Sequence, residues 1–340
     1  MALLSPGDRV TDTLVIDRLL GEGAFAEVHR VRHEYFGLQA LKLFKRVASL
    51  EETGRMLGEA QLLSTLGHPN IVRVFDANTV QTADGLRGFF TMEYVQGGSL
   101  EGLLAGYRSG VPVDLAVDVI EQIAGGLTVA HDQSPPILHR DLTLANVLYG
   151  VDGKRLRTCI SDFGLAKRAD PGSLLASAQG TYAFMAPEVV QRQGYSRASD
   201  VWSVGTIAYL LLTNHFPYEG QGPMASFSAL RFNRPLQPPS RFNDEVDADL
   251  DRIVLAMLDL EPGNRPASAR VLAEELRRRH KPSKESSRAL RMAEEALDLA
   301  VRQADLTQAV QLMQGAIDLD PALRVRYLPK LALWNRGVIM

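Results

Sequence analysis

His139-Arg140-Asp141-Leu142-Thr143-Leu144-Ala145-Asn146 is the stretch on which the reading of this chain turns. It follows an apolar Ile137-Leu138 and sets a carboxylate and a carboxamide five residues apart. Sixteen residues beyond Asn146 comes Asp162-Phe163-Gly164, entered through Cys159-Ile160-Ser161. An Asp that can take a hydroxyl proton, an Asn that can ligate a metal ion and a second metal-binding Asp are groups that phosphoryl transfer needs. Alone, the first stretch reads equally well as a polar turn between two short strands. The residues on either side decide.

Upstream, Leu14 to Phe44 reads as strands broken by glycine. Leu19 to Val28 has the form of a hairpin whose turn can lie close to a ligand. Gly21 and Gly23 lack side chains, so backbone amides there can approach phosphate oxygens; a plain β-turn is the alternative. Ala40-Leu41-Lys42 follows in an alternating run. Leu50 to Leu66 has a helical pattern through Met56, Leu62, Leu63 and Leu66. Gly54 and Gly58 inside it should each cost roughly 1 kcal/mol relative to Ala. Phe89 to Gly98 reads as a strand ending in a glycine-rich joint. Val113 to Asp132 is an amphipathic helix through Leu115, Val119, Ile123, Leu127 and Ala130, and it delivers the chain to the opening stretch.

In this order the motifs resemble those of the protein kinases, in particular soluble bacterial members of the eukaryotic-like (Hanks-type) serine/threonine group. The resemblance implies an α+β, bilobal kinase fold. Its β-rich N-lobe should span about 12–95 and its α-helical C-lobe about 96–280. It implies that Lys42 holds the α- and β-phosphates of ATP, with Glu59 as its partner. Met92 falls at the gatekeeper position, and Glu93 and Val95 would present backbone groups to adenine. Leu20, Val28, Ala40 and Leu148 would sandwich the ring, and Gly21 and Gly23 would cover the phosphates. Asn146 and Asp162 would bind Mg2+, or Mn2+ in its place, and Asp141 would accept the acceptor hydroxyl's proton. Gly180 to Glu188 matches the end of an activation segment. Ser173, Ser177 and Thr181 become candidate phosphate acceptors, the two serines ahead of Thr181. Arg140 is suited to grip such a phosphate. Asp200 to Gly205 matches the start of the central buried helix, and Arg265 matches the arginine that pairs with Glu188.

Three departures bear on activity. Ala26 stands where the family has a third glycine. Thr143 replaces the lysine that neutralises the γ-phosphate, so it supplies a hydroxyl and no charge. Ser99 and Ala145 occupy places where Arg-directed kinases carry acids, which argues against a strict upstream-Arg requirement in the substrate. The implied activity is ATP-dependent transfer to protein Ser or Thr hydroxyls, with autophosphorylation. The alternative is a catalytically weak or inactive, pseudokinase-like scaffold that works through nucleotide binding and its tail.

Among 340 residues, 46% are hydrophobic and 23% charged, with net charge −3, which suits a globular chain and gives no reason to expect nucleic acid as a partner. No basic-then-apolar leader is evident, and the apolar window Val201 to Thr213 is too short to cross a bilayer. The expectation is a cytoplasmic protein without a membrane partner. The single cysteine, Cys159, lies in an apolar run and reads as a packing thiol. Near residue 280 the composition turns basic, Arg277 to Lys284, as at a domain end. Beyond it two alanine-rich stripes, Ala289 to Ala300 and Ala309 to Ile317, are closed by Asp320-Pro321. Residues 281–340 thus resemble a linker and a single tetratricopeptide-like helix pair. One repeat cannot bury both of its faces, so the tail could dock in cis, dimerise or bind a protein partner.

Overall fold

The computed structural model describes residues 3–24, 26–45, 64–153, 155–163, 182–218, 229–280, 284–301, 306–319 and 323–334. The expected helix over Leu50 to Leu66 lies almost wholly outside them, as do Glu59, Ser173, Ser177 and Thr181.

The N-terminal lobe is an antiparallel sheet of β1 (Leu14–Glu22), β2 (Ala26–His33), β3 (Gly37–Phe44), β4 (Val74–Thr82) and β5 (Gly85–Glu93), in the order β1-β2-β3-β5-β4. Successive side chains on a strand point to opposite faces, so register decides what meets the cleft. Lys42 is paired with Val28 on β2 and Phe90 on β5, and Ala40 with Met92. That face joins the main core, which runs on into the second lobe. The opposite face holds Leu14, Ile16, Val31, Leu41, Leu43 and Phe89, and with Leu4 and Val10 from the preceding segment it forms a separate core. On that side the buried Glu27 carboxylate accepts the Leu3 N–H at 3.0 Å and pairs with His29 at 2.9 Å.

The second lobe is helical. After the two-residue strand β6 (Gly98–Ser99) come α1 (Leu100–Ala105) and the long α2 (Val113–His131). A hairpin of β7 (Val147–Asp152) and β8 (Arg155–Ile160) follows, then a short α3 (Pro187–Val190) and α4 (Arg197–Thr213). α4 is buried on all sides from Ser199 to Thr213, as expected of a helix apolar all round. It starts with a reciprocal capping box between Ser196 and Ser199 and stops at Asn214, whose left-handed φ of 59° ends it. Gly205 lets α5 (Ala248–Met257) approach: a Cβ there would lie 2.7 Å from Met257 Cβ. The lobe closes with α6 (Ala269–His280).

The chain separates into two compact units, Met1–Leu276 and Arg277–Met340. In the second, α7 (Lys284–Val301) and α8 (Leu306–Leu319) pack through Ala289, Ala293, Ala296, Ala300, Ala309, Met313 and Ala316. A third helix, α9 (Leu323–Trp334), adds Leu323, Tyr327, Leu331 and Trp334 to that core. The sequence pattern points only to a pair.

Candidate active site

The β7–β8 hairpin assembles the site. Asn146 immediately precedes β7, Asp162 follows β8 by one residue, and Val147 pairs with Ile160. Ser161 closes the open end: its N–H and hydroxyl donate to the Asn146 carbonyl at 2.9 and 3.0 Å. Asn146 Nδ2 in turn donates to the Asp141 carbonyl at 2.7 Å. With its nitrogen so used, Oδ1 is the Asn146 atom left for a cation. Across the cleft, Lys42 Nζ donates to Asp162 Oδ1 at 2.5 Å. One run of hydrogen bonds and short backbone links thus joins Lys42, Asp162, Asn146 and Asp141.

Two residues of this framework, Arg140 and Asp162, take left-handed φ values of 65° and 58°. Such angles are uncommon outside glycine and need holding. At the first, the buried Asp200 carboxylate does so. Its Oδ2 accepts the His139 N–H at 2.8 Å and its Oδ1 the Arg140 N–H at 3.0 Å. His131 Nε2, from the end of α2, donates to Oδ2 at 2.9 Å. His139 is wholly buried, with its ring 4.7 Å from that of Phe163. The Ser161 carbonyl, 2.8 Å from Nε2, can only accept, so Nε2 carries the proton. Nδ1 then accepts the Asp141 N–H at 3.3 Å. Burial pushes the His139 pKa below its ordinary 6.5 and outweighs the pull of Asp200, so the ring works as a neutral strut.

The donor set, a carboxylate and an amide oxygen, fits a hard divalent cation. Among the described residues no cluster of three or more His, Cys, Asp or Glu could hold a metal ion by itself.

Of the residues expected to surround a base, Ala40 and Met92 are buried, Val28 and Leu148 partly buried against the same core, and Leu20 exposed. Glu93 N–H donates to the Arg73 carbonyl at 2.8 Å. Its carboxylate is forked by Arg157, Nη2 at 3.0 Å to Oε2, while Arg157 Nε donates to the Pro69 carbonyl at 2.7 Å. Side chain and N–H being engaged, the Glu93 carbonyl is what remains for a base. Next to it, the Arg30 guanidinium lies 5.6 Å from the Tyr94 ring centroid and is bonded to Asp17.

Beyond the cleft, the turn Tyr182–Phe184 leads into α3, whose Glu188 is met by Arg265 with paired contacts of 2.9 Å. Burial alone would raise the Glu188 carboxyl; hydrogen bonds from Arg265 and Ser199 outweigh it and hold it below its ordinary value. Arg265 also donates to the carbonyls of Asp259, Ala198 and Leu260. A small cavity faces Arg140 and Asp141 and is lined across from them by Phe184, Met185, Ala186 and Tyr195. Thr143 is buried, at 7% exposure.

The sequence does not single out His131, Ser161, Arg157 or the carboxylate of Asp200 as parts of the site. Asp200 carries a signal in being a lone acid at the start of an apolar helix. Ser161 and Arg157 carry none, because their partners are main-chain carbonyls or lie 64 residues away.

A sequence model of the family described as protein kinase domain matches residues 14–276. The serine/threonine-protein kinase ATG1a of Arabidopsis thaliana is 31% identical over 72% of this chain and 38% of its own. A calcium/calmodulin-dependent protein kinase type 1 of Macrobrachium nipponense is 33% identical over 65% of this chain and 62% of its own. The chain therefore spans less than two thirds of either relative. The crystal structure of the PknI kinase domain of Mycobacterium tuberculosis superposes with a TM-score of 0.60 at 27% identity, covering 81% of this chain and 99% of that one.

Proposed function

The chain belongs to the protein kinase family, and from that premise we propose that it transfers the γ-phosphate of ATP to Ser or Thr hydroxyls of proteins, its own activation segment included. The observation that carries this reading is the continuous linkage of Lys42, Asp162, Asn146 and Asp141. A scaffold needs none of these groups in register. This chain has all four, on a loop held by a buried Asp200, and that disfavours the inactive alternative.

In this reading Lys42 orients the α- and β-phosphates, and in the assembled state Glu59 takes over as its partner. Asn146 Oδ1 and Asp162 hold Mg2+ or Mn2+, which offsets charge on the phosphates. Asp141 receives the acceptor hydroxyl's proton. Gly21 and Gly23 cover the phosphates, and the base lies between Leu20, Val28 and Ala40 on one side and Leu148 on the other, beside Met92. It meets the backbone of Glu93 and Val95. Arg140 grips a phosphate placed on Ser177, Ser173 or Thr181.

The kinase domain is taken to span residues 12–280. The tail is read as a tetratricopeptide-like helical segment that binds a protein partner, supported by its alanine-lined core. No helix among the described residues is long and apolar enough to cross a membrane, and we place the protein in the cytoplasm.

The test is purified full chain with radiolabelled ATP and Mg2+ or Mn2+, beside Asp141→Asn. Incorporation by wild type and none by the variant supports the reading. Nucleotide binding without incorporation in either would favour the scaffold. Mass spectrometry should find phosphate between residues 164 and 181; its absence would remove the regulatory part.

A further inference from the structure

Arg231 is an expensive residue in an unexpected place. It lies in the turn Ala229–Asn233, between α4 and α5, at 4% exposure. A buried guanidinium costs desolvation unless its N–H groups are satisfied, and a leucine would fill such a space without that cost. What a guanidinium adds is several donors in one plane. Here Nη2 donates to the main-chain carbonyls of Tyr182 at 3.1 Å and Met185 at 2.9 Å. The group also lies 5.3 Å from the Tyr182 ring centroid and 4.6 Å from that of Phe232. Burial brings its pKa down to about 10, so it stays charged at neutral pH.

The held segment runs into Phe184, Met185 and Ala186, which line the same small cavity as Asp141. Between the two held residues, the Phe184 carbonyl accepts from Ser203 Oγ at 3.0 Å, and Met185 N–H closes the turn on Tyr182 at 3.2 Å. Three carbonyls of the acceptor-side wall are therefore held from behind, two of them by one side chain.

We propose that Arg231 is a positioning residue for the protein acceptor: through the Tyr182 and Met185 carbonyls it fixes the wall against which the acceptor peptide lies, and so sets acceptor affinity without touching ATP. This rests on the kinase reading above. Its signature is a split between the two substrates. Displacing one wall of a bound complex by a fraction of an ångström weakens acceptor binding and leaves Lys42, Asn146 and Asp162, which Arg231 does not touch, in place.

The experiment is steady-state kinetics of full-length wild type, Arg231→Lys and Arg231→Ala, on a serine peptide chosen because the wild type phosphorylates it in an arrayed library. Lysine keeps the charge and loses the planar fork. Arg231→Ala is expected to raise the peptide KM about ten-fold and Arg231→Lys about three-fold, with KM for ATP within about two-fold of wild type in both. An unchanged peptide KM, or equal changes in both KM values, would overturn the inference. Should Arg231→Ala melt below the assay temperature, Arg231→Lys and Arg231→Gln decide by the same split. If the wild type binds nucleotide but phosphorylates no peptide, the kinase reading falls and this inference with it. If it phosphorylates and the split is missing, only this inference falls.

Discussion

At the scale of single residues, the catalytic loop depends on acceptors and donors matched one to one. Asp200 serves three donors with two oxygens. Asp200→Asn turns one oxygen into an NH2 group that cannot accept, and at least one buried donor loses its partner. Denaturant unfolding should show a loss of about 1–3 kcal/mol, and phosphorylation should fall more steeply than stability, because Arg140 loses what holds its φ of 65°. Equal stability would show that the three bonds do not matter. His139 gives the site an acid limit. Its folded pKa is lowered by burial from 6.5, so below pH 6.5 the unfolded chain binds more protons than the folded one. Stability is full above that pH and declines as pH falls toward the lowered value, and His68, also lowered by burial, acts in the same direction. Melting temperature between pH 5 and 8 should fall on the acid side, and less so in His139→Gln; the same slope in both would rule the histidine out. Thr143 is legible from sequence as a missing charge. If that charge limits chemistry, Thr143→Lys should raise kcat about ten-fold, worth about 1.4 kcal/mol, and an unchanged or lower kcat refutes the reasoning.

At the scale of elements, strands are easy to read and their company is not. Alternation in β3 puts Lys42 and Ala40 on one face from the residue order by itself, since a period of two is local. That Leu3 to Val10 folds back over the other face is not legible, because the Leu3–Glu27 bond spans 24 residues and leaves no local pattern. The Glu188–Arg265 pair can be read from motif, but the carbonyls of Asp259, Ala198 and Leu260 that complete the guanidinium's partners cannot. Arg265→Ala removes all of these at once and leaves a buried carboxylate with no cation and only the Ser199 hydroxyl on it. It should cost about 3–5 kcal/mol in urea unfolding, and a loss under about 1 kcal/mol would mean the pair is an ornament. Packing between helices gives a cleaner case. Gly205→Ala brings a Cβ within 2.7 Å of Met257 and 3.0 Å of Leu258, neither able to withdraw cheaply. The expected loss is about 1–3 kcal/mol, read from the midpoint of the same transition.

At the scale of the whole molecule, the order of motifs sets the two lobes, because each motif has a required place relative to the cleft. The glycine-rich joint is legible, but not what it meets: Arg157 forks Glu93 across the joint, and Gly97 runs so near the Tyr149 carbonyl that a Cβ there would clash with it. These contacts are made by residues ordinary in type and far apart along the chain. The division at Leu276 and Arg277 has a direct check. Limited proteolysis should cut first near the basic stretch and release a kinase-sized fragment; early cuts elsewhere would argue against two units. One further property follows from Cys159. It is the only cysteine in the chain, fully buried on β8, and burial raises its thiol to about 11. Native protein should therefore resist a thiol-specific dye, and the dye should react only when the β7–β8 hairpin parts from the Pro69 carbonyl that the thiol meets. Because Asn146 and Asp162 flank that hairpin at its open end, the labelling rate is a clock for the lifetime of their arrangement, readable without any substrate.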